Sequence, residues 1–429
     1  MKKIRRLLAS AAALIMTFGM LSGCRDSSTE GHSVQADYDP AEATAPYVGN
    51  LPELTDADKD YVIQLGYNDC DHMVAAIIGQ DAGIYEELGL TVEITKTNQV
   101  VTAVAGGEFD AAYASFSSSI RSYNNGAEVI TLVGSHRGGA RYFVVRDEIQ
   151  ALDQLSSLTV SDTSMVSAEW LRFSSELGIP SDYTLYEGAS MAQPDAMVAL
   201  RAEQIDGIFV CDPYASIAEY EGFGTVINVA WGSLSKDLGI GWGECCTEMY
   251  NKGFVEEHPA LTARLVLAHC LATKYMYLHP YNAAMMFADT FGTGADIGLR
   301  TMYLKTNAEG RTLSWEISPQ NIENLCEYNA HWGIPESEWP QVTRGDVEDF
   351  FNLSFLEVIG MEHFDEFLQT SGVLEDFPDG MSYADWLYTA ESIDGVDHES
   401  TVGKTVDKWM DDGVITVLPP TAAASARAS

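Results

Sequence analysis

Residues 85–115, YEELGLTVEITKTNQVVTAVAGGEFDAAYAS, set out one supersecondary unit. A helical stretch stops at Glu87-Leu88-Gly89, where glycine takes the left-handed conformation that ends helices. LTVEIT (90–95) then reads as a strand, QVVTAVAGG (99–107) as a short helix, and FDAAYAS (109–115) as a second strand. The same grammar returns downstream. SSELGIPSDYTLY (174–186) closes a helix at Glu-Leu-Gly, and VALRAEQIDGIFVCD (198–212) passes through a similar acidic turn into a strand. Upstream, YVIQLGY (61–67) reads as a strand and HMVAAIIGQDAGIYEE (72–87) as a helix capped by Asp71. EVITLVG (128–134) and RYFVVR (141–146) read as further strands. This βαβαβ order predicts an α/β fold with a largely parallel sheet. Its weak repetition predicts two similar lobes with a ligand cleft between them.

The N-terminus carries a different signal. Lys2, Lys3, Arg5 and Arg6 precede an apolar run that is too short to span a bilayer core of about 30 Å comfortably. The run ends on LSGC (21–24), which resembles a bacterial lipoprotein cleavage box. That resemblance implies a leader over 1–23 and a diacylglyceryl group on Cys24. The polar, acidic stretch that follows makes 24–58 a lipid-anchored flexible tether. No later segment offers 18 uninterrupted apolar residues, so no second membrane segment is expected.

The chain sets 24 Lys and Arg against 63 Asp and Glu, a net charge of −39. Loss of the four basic leader residues lowers this to −43. Such a chain repels nucleic acid and anionic headgroups. Its seven cysteines, Cys24, Cys70, Cys211, Cys245, Cys246, Cys270 and Cys326, contain no C-x-x-C pair, which argues against zinc ribbons and thioredoxin-type sites. Six free, buried thiols are expected after lipidation. Cys245 and Cys246 fall on a predicted strand, whose adjacent side chains point to opposite faces, so they read as packing and not as a chelating pair. The chain contains no nucleophile elbow, P-loop, H-E-x-x-H or EF-hand pattern. Neither metal nor cofactor is expected.

Ligands of open α/β sheets sit beyond the carboxyl ends of the strands. Four loops qualify. NDCDH (68–72) offers Asn68, Asp69, Cys70 and His72, with Asp71 either capping the next helix or sharing in binding. SFSSS (115–119) offers Ser115, Phe116 and Ser117, as an oxyanion seat with a wall or as a plain N-cap. SDTSMVS (161–167) leads into a helix, so Thr163, Ser164 and Ser167 either cap it or seat an anion at its positive end. VCDPY (210–214) offers Cys211, Asp212 and Tyr214, with Asp212 alternatively a cap. Near the exit from the first lobe, His136 and Arg137 stand in GSHRGGAR (134–141), where the guanidinium pairs with an anionic ligand or with a structural carboxylate.

Five stretches in order carry a family resemblance: IQLGY (63–67), GQDAGIYEELGLTVEI (79–94), AVAGGEFDAAYAS (103–115), VCDPYASIAEYEG (210–222) and YNKGFVEEHPALTARLV (250–266). Together they resemble the substrate-binding proteins of nitrate, sulfonate, taurine and thiamine-precursor ABC importers. The resemblance implies a two-lobed type II periplasmic-binding fold. Lobe one takes 59–146 and about 245–334, and lobe two takes 147–244. An acidic C-terminal extension (335–418) and a disordered tail (419–429) follow. It also implies a monomeric, non-enzymatic lipoprotein on the outer face of the membrane. Such a protein passes a small organic anion or zwitterion to an ABC permease and its ATPase. Many relatives carry Trp before Asp-Pro-Tyr; Cys211 stands there instead, which implies a wider pocket. Two alternatives remain: a surface sensor feeding a signalling partner, and a pyrimidine-synthase-like enzyme of the same fold, against which the export signal argues.

Overall fold

β1 (Val62–Tyr67) runs from an exposed start into the interior: Ile63 and Leu65 are fully buried, and Gly66 and Tyr67 are covered as well. Gly66 is required there, because a Cβ would lie 2.5 Å from the Phe109 ring that rests on it. In the computed structural model, residues 38–68, 70–139, 141–152, 154, 160–161, 168–179, 192–230, 239–334, 350–411 and 413–418 are described. β1 pairs in parallel with β2 (Thr91–Lys96) and β3 (Ala111–Ser115). β9 (Glu244–Asn251) runs antiparallel between β3 and β4 (Val129–Arg137), which gives the order β2-β1-β3-β9-β4. A second sheet has the order β6-β7-β5-β8, from β5 (Tyr142–Arg146), β6 (Val160–Ser161), β7 (Gly207–Val210) and β8 (Gly224–Val229).

Both sheets are mixed, where a largely parallel sheet was expected. β4, β5 and β9 flank the passages between the sheets and pair antiparallel with their neighbours. The stretch 141–146 belongs to the second sheet, not to lobe one, so the first crossover lies at 138–141. Phe143 there stacks on Phe209 at 4.7 Å, within a core that includes Phe173 and Trp170. The predicted helix 72–87 is broken into a turn at Asp71–Met73 and helices Ala75–Asp81 and Ile84–Glu87, with Gly83 at φ 74° between the helices. The two crossovers touch. Gly138 N–H donates to Gly243 O at 2.6 Å and Ala230 N–H to Arg141 O at 2.8 Å. Gly139 packs so closely on Ala230 that an added Cβ would overlap its carbonyl oxygen.

The expected tether is folded wherever it is described. Asp39 caps a helix at Pro40–Thr44, and Thr55 with Asp58 forms a capping box on Asp56–Lys59. Tyr38 meets Tyr275 edge-on at 4.7 Å, Tyr47 OH donates to Glu362 at 2.8 Å, and Arg264 donates to Pro52 O at 2.6 Å. Residues 350–411 and 413–418 belong to a mostly helical extension that touches both lobes. Against lobe one, Lys274 pairs with Glu362, and His279 lies 3.0 Å from Asp394. Against lobe two, Lys408 pairs with Glu219, Trp409 Nε1 donates to Glu219 at 3.1 Å, and Thr416 N–H donates to Val226 O at 2.8 Å.

β9 carries Glu248 at 0% exposure, within electrostatic reach of Cys270 on the almost wholly buried helix Pro259–Leu278. Tyr250 OH donates to Glu248 at 2.6 Å, and the electrostatic reach of its carboxylate includes Tyr85 and Tyr113. Burial pushes the Glu248 carboxyl up to about 8. Its folded value lies above its unfolded one, so its stabilising contribution is whole below about pH 4.5 and is lost as pH rises to about 8, on the order of 4 kcal/mol. Glu248→Gln should therefore raise the thermal midpoint at pH 8 and change it little at pH 5. Calorimetry across that range checks this; equal shifts at both ends would refute it.

Candidate functional site

β1 and β7 end at the same seam between the lobes. Asp71 follows β1, Asp212 follows β7, and Asp71 N–H donates to Asp212 O at 3.3 Å. A third element enters from after the helix Ala295–Tyr303. It is one wide π turn, Leu304–Ala308, a geometry often found at functional sites. This turn delivers Lys305, whose Nζ lies 2.7 Å from Asp71 Oδ2 and 2.6 Å from Glu309 Oε1. Glu309 also accepts from Tyr142 OH at 2.9 Å and Thr312 Oγ1 at 2.8 Å. Asp212 accepts from Ser216 N–H at 3.0 Å, Ser216 Oγ at 2.9 Å and Thr301 Oγ1 at 3.3 Å. All these charged side chains are at most 3% exposed.

Two imidazoles lie against this cluster. His72 and His136 stack at 3.7 Å with planes 1° apart. His72 Nε2 is 3.3 Å from Asp71 Oδ1 and 3.2 Å from Lys305 Nζ, and His136 Nε2 is 3.3 Å from Glu309 Oε2. On the other edge of His72, Nδ1 is 3.4 Å from Cys246 Sγ and 3.7 Å from Cys245 Sγ. Cys70 reaches the Cys246 and Cys211 thiols, so sulfur continues across the seam into lobe two. Among the described residues no cysteine is in a disulfide.

Burial sets the electrostatics, and the ion pairs redistribute it. Burial pushes Asp71 up to about 7, and the nearby Asp212 and Glu309 add to this against the pull of Lys305. Burial likewise raises Asp212. For Glu309, burial is outweighed by Lys305 and His136, which hold it down at about 2. Lys305 is raised, since its two carboxylate partners outweigh its burial. Burial lowers both imidazoles, with Lys305 adding to the effect on each, so both are neutral.

Of the residues singled out in the sequence, the structure brings Cys70, His72, His136, Cys211 and Asp212 together. It does not bring in the rest. Ser115 Oγ accepts from Ser118 N–H at 3.3 Å, the plain cap. Phe116 is fully buried in lobe one, 6.0 Å from Phe350, and so walls no cleft. Ser117, half-buried, sits in the first turn of the same helix. Arg137 points away from its neighbour His136, over Trp242 at 5.2 Å and Phe364 at 5.5 Å. Tyr214 is buried in the main core, and half-buried Asn68 follows β1 with its carbonyl accepting from Cys70 N–H. Asp69, Thr163, Ser164, Ser167 and Cys24 lie outside the described residues.

Cys245 and Cys246 require a correction. Their sulfurs are 3.7 Å apart, not on opposite faces. The cause is a bulge. His136 pairs with Cys246 and Arg137 with Glu244, so Cys245 is an extra residue in β9 and the alternation fails there. Lys305, Glu309, Tyr142, Thr301 and Thr312 were not anticipated. Their one sequence signal is the i,i+4 spacing of Lys305 and Glu309, which ordinary surface helices share.

The NMT1-like family model matches residues 56–289, more than half of the chain. This chain belongs to the NMT1-like family. Solved structures agree on the fold of this NMT1-like chain, which is that of the periplasmic binding proteins. The aliphatic sulphonate binding protein of Escherichia coli is 14% identical, with TM-score 0.51 over 70% of this chain and 99% of that one. The alkanesulfonate-binding protein of Xanthomonas axonopodis pv. citri, bound to MOPS, is 14% identical, with TM-score 0.52 over 65% and 94%. The nitrate-binding protein of Synechocystis PCC 6803 is 12% identical, with TM-score 0.50 over 77% and 98%. All three are named as binding proteins. No curated protein matches the chain significantly. Among the described residues of the NMT1-like chain, no helix is long and apolar enough to cross a membrane.

Removing Lys305 would leave two buried carboxylates without their cation. Lys305→Ala should cost about 3–5 kcal/mol in denaturant unfolding. Unchanged stability would show that Asp71 and Glu309 are not held by that ammonium.

Proposed function

We propose that this chain is a lipid-anchored, extracytoplasmic solute-binding protein that captures a small organic anion or zwitterion and delivers it to an ABC permease. The observation that supports this most directly is the convergence of charged groups from both lobes and the π turn on one seam, at the carboxyl ends of β1 and β7. Hinge motion about the paired crossovers opens and closes such a seam. The named ligands of the structural neighbours, sulfonates and nitrate, favour an anionic group on the solute. Lys305 is the seam cation that would receive it. Asp212, a buried carboxyl at the same seam that is raised by its burial, gives an ammonium or amidine a seat apart from the Lys305 pair, and this favours the zwitterion of the two.

The lipid anchor rests on the Leu21–Cys24 box. Cys24→Ala should move the protein from the membrane pellet to the soluble fraction, and membrane association equal to the parent chain would remove lipidation from this reading.

Solute capture is tested by thermal shift on a chain beginning after Cys24, unfolded and refolded to free any carried ligand. The panel holds sulfonates, taurine, nitrate, bicarbonate, aminopyrimidines and amino acids. A true ligand at about 100 times its Kd adds about 2.7 kcal/mol of stability. A midpoint rise with taurine or an amino acid, weakened at least tenfold in affinity by Asp212→Asn, is the expected result. A rise with nitrate alone would discard the ammonium seat, and no rise with any member would count against solute capture of this class.

A further inference from the structure

Two thiols meet across the seam, and the solute seats at Lys305 and Asp212 do not use them. Cys70 stands in the loop after β1 in lobe one, and Cys211 in the loop after β7 in lobe two. Their sulfurs lie within 4.8 Å of each other, and both residues are buried. The adjoining backbones already touch, since Asp71 N–H donates to Asp212 O at 3.3 Å. Gln193 Oε1 accepts from Cys211 N–H at 2.6 Å and fixes that loop. A disulfide needs its sulfurs about 2.05 Å apart. The gap left to close is under about 3 Å, which rotation about the two Cα–Cβ bonds covers.

The other thiol beside Cys70 is held more rigidly. Cys246 lies within β9, in register with Ser115 on one side and His136 on the other, and its sulfur is 3.4 Å from His72 Nδ1. It belongs to the same sheet-bearing lobe as Cys70, so a bond between those two would join nothing across the seam. With the seam shut, these thiols are inert. Contact with Cys211 lowers Cys70, but contact with Cys246 and burial outweigh this and push it well above the usual thiol range. Cys211 is pushed up by Cys70 and by burial, with Arg141 opposing. Protonated thiols are poor nucleophiles. Reaction therefore waits for the seam to open and admit solvent, and closure then brings the two sulfurs together.

We propose that Cys70 and Cys211 are a modification site, forming a reversible disulfide between the lobes that locks the seam shut. The oxidant is a small-molecule disulfide, RSSR. The Cys70 thiolate attacks one of its sulfurs, which leaves a mixed disulfide on Cys70 and releases one RS−. The Cys211 thiolate then attacks the Cys70 sulfur and releases the second RS−. The two RS− take up the two protons that the cysteines lost. Two cysteine thiols are thus oxidised to one disulfide, and one RSSR is reduced to two RSH. An added dithiol runs the reaction backwards. The proposal goes beyond solute capture: it needs the seam to open and close, but no solute.

The test uses the full chain, extracted in mild detergent, reduced, desalted and kept free of solute. It is incubated with 2-hydroxyethyl disulfide at mildly alkaline pH, blocked with a maleimide and digested without reduction for mass spectrometry. The expected result is a peptide pair joining Cys70 to Cys211 as the chief product, reversed by dithiothreitol. Cys70→Ser and Cys211→Ser should each abolish it. Cys326→Ser, whose thiol lies in a separate core, should leave it unchanged. In the cross-linked chain, maleimide labelling of buried Cys246 should slow about tenfold or more, because the opening that exposes it is blocked. Cys70 joined chiefly to Cys246, separate mixed disulfides on Cys70 and Cys211, or both thiols unreacted would each overturn the link. Unchanged labelling of Cys246 would overturn the lock. Should a serine variant fail to fold, the unaltered chain decides all of these points. Solute affinity is not read in this experiment, so its failure leaves the capture reading to the thermal-shift panel.

Discussion

An ammonium group with almost no contact with water organises this molecule. Lys305 is 1% exposed and can remain charged there because Asp71 and Glu309 lie within 2.7 Å on either side. Neither partner is local to the other in the chain. Asp71 belongs to the loop after the first strand, and Glu309 to the π turn that follows the helix Ala295–Tyr303. Burying one charge thus requires β1, the helical part of lobe one and, through the Asp71–Asp212 hydrogen bond, lobe two to meet at one place. Breaking such a pair costs more than forming it contributes, so its main effect is on geometry. It orients the two carboxylates on which both imidazoles rest.

The second determinant is a local irregularity. A regular β9 would place Cys245 and Cys246 on opposite faces; the extra residue opposite His136 and Arg137 brings both sulfurs to His72. Bulges commonly re-aim a side chain in this way. The same strand carries Glu244 and Glu248, both buried, with burial pushing Glu244 up to about 7. β9 is therefore a strand with two buried carboxyls, held between β3 and β4.

Much of this fold could be read from the chain. The repeated Glu-Leu-Gly helix ends and the strand patterns gave two lobes, because such signals depend on neighbours in sequence. The antiparallel entry of β4, β5 and β9 was not legible, since periodicity records which residues are buried and not the direction of the partner strand. The segment 38–58 reads as polar by composition, yet Tyr38, Tyr47 and Leu54 anchor it to lobe one. The site divides in the same manner. His72, Cys211 and Asp212 follow strand ends, where a topological rule finds them. Lys305 and Glu309 come from beyond the recognisable motifs and look like any exposed i,i+4 pair. The bulge at Cys245 depends on a register between strands more than a hundred residues apart, which no local pattern encodes.

The C-terminal extension changes what closure means for this molecule. Trp409 and Thr416 fasten to lobe two while Glu362 and Asp394 fasten to lobe one, so a single strap spans the hinge. If the lobes separate as the proposed capture requires, the strap must stretch or yield at one end. Any solute that enters only the open form is then drawn from a minority population, and its apparent Kd rises by the reciprocal of the open fraction. A chain open about 1% of the time binds about a hundredfold more weakly than its cleft chemistry alone would allow. On the proposed capture reading, the same latch, re-formed over a bound molecule, would slow that molecule's escape.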